Sequence, residues 1–176
     1  MTRKTGVAFI VLGLATVSIA AFASVHPSER HEAGGAKTNR YISAGFFAGG
    51  EHTVTSAKLK DIRRGKQSGG FERIVFDLEA QADDKEAVPY FQVQAAPEEG
   101  RFIMSIWANV LYDFDSTRVS KTFTKSEHFK RINVIPRLEE GLTIIEFTIA
   151  PETGKQPPKF EVFRLSHPAR IIMDVI

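Results

Sequence analysis

Pro89-Tyr-Phe-Gln-Val-Gln-Ala-Ala-Pro-Glu-Glu-Gly-Arg-Phe-Ile-Met-Ser-Ile106 and Pro158-Lys-Phe-Glu-Val-Phe-Arg-Leu-Ser-His-Pro-Ala-Arg-Ile-Ile-Met-Asp-Val175 decide how this chain is read. Without a gap, Pro89, Phe91, Val93, Arg101, Ile103 and Met104 fall on Pro158, Phe160, Val162, Arg170, Ile172 and Met173. The same offset of 69 carries Val75-Phe76-Asp77-Leu78 onto Ile144-Ile145-Glu146-Phe147, and Thr53 and Thr55 onto Thr122 and Thr124. A slip of one residue brings Leu59, Lys60 and Ile62 over Phe129, Lys130 and Ile132. Matching apolar, proline and arginine positions at one period point to two similar units that bury a shared face.

Each unit has the texture of β-structure. From Glu72 to Glu79, Ile74, Phe76 and Leu78 alternate with Arg73, Asp77 and Glu79, and Val75 is the one apolar residue on the outer face. A period of two with one wet face is the mark of an antiparallel strand. Further strands are expected at 53–62, 90–96, 101–108, 129–135, 142–149, 160–165 and 170–175. Gly65 with Ser68-Gly69-Gly70, Pro97 to Gly100, Glu139 to Gly141 and Thr153 to Pro158 supply the turns between them. The expected fold is all-β: a symmetric antiparallel β-sandwich of halves 53–106 and 122–176, joined by a crossover at 107–121. Ser116 to Phe129 has room for one helical turn. Phe76, Phe91, Met104, Phe147, Phe160 and Met173 are expected to hold most of the core, each large side chain worth about 2 kcal/mol when buried.

The N-terminus reads as an address. Arg3 and Lys4 precede an apolar run from Val7 to Ala23, broken only by Thr16 and Ser18, and Ala21-Phe22-Ala23 suits a cleavage site. Residues 1–23 are thus a secretory signal peptide or, uncleaved, a membrane anchor. Either implies an exported domain, periplasmic or extracellular, that meets the membrane only through this segment. Residues 24–50, rich in Gly, Ala, Ser and His, read as a flexible linker, with Tyr41, Ile42, Phe46 and Phe47 apolar enough to fold back onto the domain at 51–176. Of 23 basic side chains, Arg3 and Lys4 lie in the signal segment, which leaves 21 against 21 acidic ones. Such a balance makes no electrostatic case for nucleic acid. The absence of cysteine removes disulfides, thiol nucleophiles and lipidation.

No catalytic constellation emerges, so no enzyme, cofactor or metal centre is expected. His26, His31, His52, His128 and His167 are scattered, and Ser126-Glu127-His128 are neighbours in sequence only. Asp83-Asp84 and Asp113-x-Asp115 lack the glycine and ligand count of a calcium loop. Arg73/Asp77 and Arg170/Asp174 each lie four apart on one strand face, which predicts a cross-strand ladder of opposite charges. The alternative is that Arg73, Arg101 and Arg170 grip carboxylates of a wall peptide, to which guanidinium forks are matched. The crossover holds Trp107, Tyr112 and Phe114 among aspartates and an asparagine, a mixture suited to stacking on sugar rings. Trp107 and Leu111 alternatively plug one end of the sandwich.

The run Phe160-x-Val162-x-x-Leu165-x-x-Pro168-x-Arg170-Ile-Ile-Met-Asp174-Val resembles the closing signature of the AMIN domain. Phe71-Glu-Arg73-Ile-Val-Phe-Asp77-Leu is similar to the opening of the AMIN-like variety in exported proteins of Gram-positive bacteria. The resemblance covers about 53–176 and implies a symmetric β-sandwich in the cell envelope that binds peptidoglycan or an envelope protein. The family's usual amidase or secretin region is not attached after Ile176. A carrier of an apolar ligand between the sheets is the alternative from a different class.

Overall fold

The computed structural model describes residues 29–81, 85–150 and 157–176. The expected signal segment and Asp83-Asp84 lie outside them. The described residues form β1 (Arg30–Glu32), β2 (Phe46–Gly49), β3 (Ser56–Lys66), β4 (Glu72–Ala80), β5 (Phe91–Ala96), β6 (Arg101–Ile106), β7 (Asn109–Tyr112), α1 (Ser116–Phe123), β8 (Phe129–Arg137), β9 (Leu142–Ile149), β10 (Phe160–Leu165) and β11 (Arg170–Val175). One sheet runs β1-β2-β5-β6-β9-β8 and the other β10-β11-β4-β3-β7. All six expected core side chains are fully buried between them. Phe102 meets Phe160 and Phe129 edge-on at 4.9 and 5.5 Å, and Phe76 meets Phe147 edge-on at 6.1 Å. No described helix is long and apolar enough to cross a membrane.

The sheets are mixed, which corrects the expectation of a purely antiparallel sandwich. β1 runs parallel to β2, and β7 runs parallel to β3. Parallel neighbours need a long connection, and both pairs have one. Residues 33–45 join β1 to β2, while three strands intervene between β3 and β7.

Strand registers are specific. In the β5–β6 hairpin Phe91 pairs with Ile106 and Val93 with Met104; in β10–β11 Phe160 pairs with Val175 and Val162 with Met173. β3 shifts register against β4 between Leu59 and Asp61, and β8 shifts against β9 between Phe129 and Arg131. Each shift leaves a lysine, Lys60 or Lys130, as the extra residue of a bulge.

The stretch expected to be a linker is instead part of the sandwich from Glu29 onward, so the domain does not begin at 51. β2 pairs antiparallel with β5, and Ala33, Phe47 and Ala48 are buried. Ile42 exchanges backbone hydrogen bonds of 2.9 Å with Phe160, and Arg164 N–H donates to the Gly34 carbonyl at 2.9 Å. The segment thereby covers the edges of β5 and β10, which would otherwise present unpaired backbone groups. It also covers the outer face of β10 and β11. Lys37 donates to Asp174 at 2.7 Å and sits 3.6 Å above the Phe71 ring, while Thr38 donates to Glu161 through its backbone N–H at 2.6 Å and its hydroxyl at 2.8 Å. Burial disfavours the Lys37 ammonium, but hydrogen bonds to Asp174 and Tyr41 outweigh it and raise its pKa above the ordinary value. That contact holds below the unfolded lysine pKa of about 10.4 and fades as pH rises through the raised folded value. Ile42 and Phe47 fold back onto the domain as their apolar character led one to expect, whereas the small and polar residues around them contribute close backbone approach rather than periodic apolar burial.

Gly50 shows how tightly the segment is joined. Its φ is +85°, and a Cβ there would lie 2.2 Å from the Pro89 carbonyl oxygen. Gly50→Ala is expected to cost about 1–3 kcal/mol, since both the left-handed backbone and the contact penalise a side chain. A denaturant melt checks this, and an unchanged midpoint would refute the close approach.

Candidate functional site

The crossover forms the only α-helix among the described residues. Asp115 caps it, its carboxylate accepting from Arg118 N–H at 3.0 Å, and Val119 and Phe123, four apart, bury one stripe. Arg64 of β3 donates to the carbonyls of Thr122 at 3.4 Å and Lys125 at 2.8 Å, which closes the helix C-terminus. The same guanidinium pairs with Glu72 of β4 at 2.8 Å, with both side chains nearly inaccessible. Glu72 also accepts from Ser126 Oγ at 2.5 Å and Glu127 N–H at 3.1 Å. A buried ion pair therefore sets where α1 sits, and Arg118 with Asp61 adds a second tie to β3.

Between α1 and the edge strand β8 runs an open groove of about 380 Å³, lined by Tyr112, Phe114, Ser116, Val119, Ser120, Ile132 and Val134. Past Ser120 and Ile132 it meets a second hollow of about 340 Å³, lined further by Thr124, Lys130, Arg131 and Asn133. One end is aromatic and apolar; the other carries cations, hydroxyls and an amide. Tyr112 is 40% exposed and Phe114 half-buried, their rings edge-on at 6.1 Å. Tyr112 OH lies 3.4 Å from Oγ1 of the buried Thr143.

The other expected site residues lie elsewhere. Trp107 does not plug the sandwich: it is 38% exposed and Leu111 is 61% exposed. The reason is alternation, because Ala108 and Val110 turn inward and their neighbours must turn out. Trp107 packs on Tyr90 at 5.3 Å, and Tyr90 stacks on His52 at 3.8 Å, an aromatic row separate from Tyr112 and Phe114. Arg73 grips the fully buried Asp174 bidentately at 2.7 and 2.8 Å, and Arg170 reaches Asp77 at 2.9 Å. Asp77 is shared with Arg63, bidentate at 2.6 and 2.9 Å. The expected charge ladder is thus present with one more arginine. Arg101 is held by Glu99 and by Glu146 at 2.8 Å. The carboxylate-matching groups of Arg73, Arg101 and Arg170 are all engaged within the protein.

Ser116, Ser120, Ile132, Val134, Lys130 and Arg131 had no site signal of their own in the sequence, because their adjacency to Tyr112 and Phe114 depends on α1 lying along β8. A readable signal was the local charge: residues 116–137 carry six basic side chains and one acidic. That acid, Glu127, is taken by Lys66 at 2.6 Å, whose hydrogen bond holds the carboxyl below the usual carboxylate range. Among the described residues no His, Asp and Glu cluster is arranged to hold a metal ion. Comparison with protein-family models, curated proteins and solved structures finds no match to this chain.

Proposed function

We propose that this protein is a non-catalytic, exported module of the cell envelope that binds peptidoglycan through the groove between α1 and β8. The observation that carries the reading is the groove's composition: the exposed Tyr112 ring beside the half-buried Phe114 at one end, with Ser116, Ser120 and Asn133 along it. Aromatic faces stack on the C–H faces of sugars, and hydroxyls and amides exchange hydrogen bonds with theirs. The signal-like residues 1–23 and the resemblance of 160–175 to the AMIN signature support the envelope setting. The carrier alternative draws no support from an interior filled by phenyl rings in mutual contact.

The registers also support a duplicated unit. Equivalent bulges relate β3 to β8 at an offset of 70, matching hairpins relate β5–β6 to β10–β11 at 69, and Phe76 answers to Phe147 at 71. The match of Val75–Leu78 to Ile144–Phe147 then slips by two residues, a shift that keeps every side chain on its face.

Co-sedimentation of the purified protein with sacculi tests the function. Tyr112→Ala is expected to lower the retained fraction several-fold and leave the melting temperature nearly unchanged, as an exposed position allows. Phe114→Ala, half-buried, is expected to cost about 1–2 kcal/mol as well. Wild-type protein left in the supernatant at low salt would overturn the proposal.

A further inference from the structure

The chain is neutral beyond its signal segment, yet its charge is segregated. Within residues 116–137, Arg118 is neutralised by Asp61, and Lys66 occupies Glu127. Lys121, Lys125, Lys130, Arg131 and Arg137 remain, all exposed and without an ion pair to any described residue. Elsewhere basic side chains mostly have partners, as Arg63, Arg73, Arg101 and Arg170 do. The residues lining the groove explain how the free cations gather: Ser116 shares it with Val134, and Thr124 shares its continuation with Lys130, so α1 runs antiparallel beside β8. Of the unpaired cations, Lys130 and Arg131 of β8 line the continuation of the channel, while Lys121 and Lys125 follow its lining residues Ser120 and Thr124 in sequence without lining it.

From this placement we infer that the groove reads acidic peptide: the carboxylate-bearing stems of the wall polymer bind at Lys130 and Arg131 while sugar stacks at Tyr112. The inference rests on the proposed wall binding and adds a ligand class and an orientation to it. Charge complementarity selects this occupant. An arginine fork matches a carboxylate in two hydrogen bonds, and the lysines add diffuse attraction. A second copy of this chain is disfavoured, since pairing β8 with β8 would face Lys130, Arg131 and Arg137 with their own kind. The opposite end, with Phe114, Val119 and Val134, offers no cation to a carboxylate.

The test compares native sacculi with sacculi whose carboxyls have been amidated, using wild type, Tyr112→Ala and the double variant Lys130→Glu/Arg131→Glu. Both substituted cations are exposed, and circular dichroism confirms that the fold is retained. Amidation and charge reversal should each weaken retention roughly tenfold, and salt should weaken native binding, because exposed charges are screened beyond about 8 Å at physiological ionic strength. Equal binding of native and amidated sacculi, or undiminished binding by the double variant, overturns the inference while wall binding stands. If wild type ignores sacculi altogether, soluble poly-L-glutamate decides. Binding there that the double variant loses keeps the acidic-peptide surface and discards the wall; no binding discards both.

Discussion

A protein truncated to residues 51–176 is expected to lose cooperative folding, whereas one beginning at Glu29 should melt in a single transition. The truncation removes Phe47, whose ring meets Phe160 edge-on at 5.4 Å, together with buried Ala33 and Ala48. Losing one buried phenyl ring alone costs about 3–5 kcal/mol. It also strips β2 from β5 and the Ile42 bridge from β10, and uncovers Glu161 and Asp174, which are 1% and 0% exposed in the intact domain. A domain of this size has only about 5–15 kcal/mol in total. Thermal unfolding followed by near-ultraviolet circular dichroism checks the result. A sharp transition in the shorter protein at the temperature of the longer one would show that the N-terminal strands are an ornament.

The second large effect is expected at Glu72. Glu72→Ala should destabilise by about 3–5 kcal/mol, because it leaves the Arg64 guanidinium buried without its counter-charge. Arg64 is 9% exposed and its Nε has no hydrogen-bond partner, so the site has little with which to compensate. Ser126 and the Glu127 amide would lose their acceptor in the same step, which loosens the turn between α1 and β8. A double-mutant cycle with Arg64→Met separates the contributions. If the pair is coupled as its geometry indicates, the double variant should be more stable than Glu72→Ala alone. Additive losses would place the cost of Glu72→Ala in the turn instead. Wall retention should fall in parallel, since the Arg64–Glu72 pair holds one wall of the groove.

The strands were readable where one face is wet and the other dry. Leu142–Ile149, Phe160–Leu165 and Arg170–Val175 keep their expected limits, since apolar and polar residues or firm turn signals bound them. β1 and β2 were not readable. Arg30-His-Glu and Phe46-Phe-Ala-Gly are too short to show a period, although Phe46 and Phe47 were apolar enough to point back to the domain; β2 becomes a strand on the edge of β5, and β1 on that of β2. The helix left faint signals, an Asp115 cap and Val119 four residues before Phe123, too short to outweigh a β-rich context. Burial of Asp174 and Glu161 was equally hidden, because it follows from residues 33–42 lying over a face that alternation alone assigns to solvent.

Local order and the core were determined by the sequence itself: the period of two, the turns and the six large side chains that meet between the sheets. These follow from side-chain polarity and strand geometry, which act over a few residues. Only the tertiary structure decided what the aromatic crossover faces. Tyr112 and Phe114 are close in sequence to each other but far from Ile132 and Val134, and the docking of α1 by Arg64 and Glu72 brings them together. The whole-chain charge balance likewise concealed a basic edge. Net charge is a sum over the chain, whereas a ligand meets only the charges within a screening length of its surface.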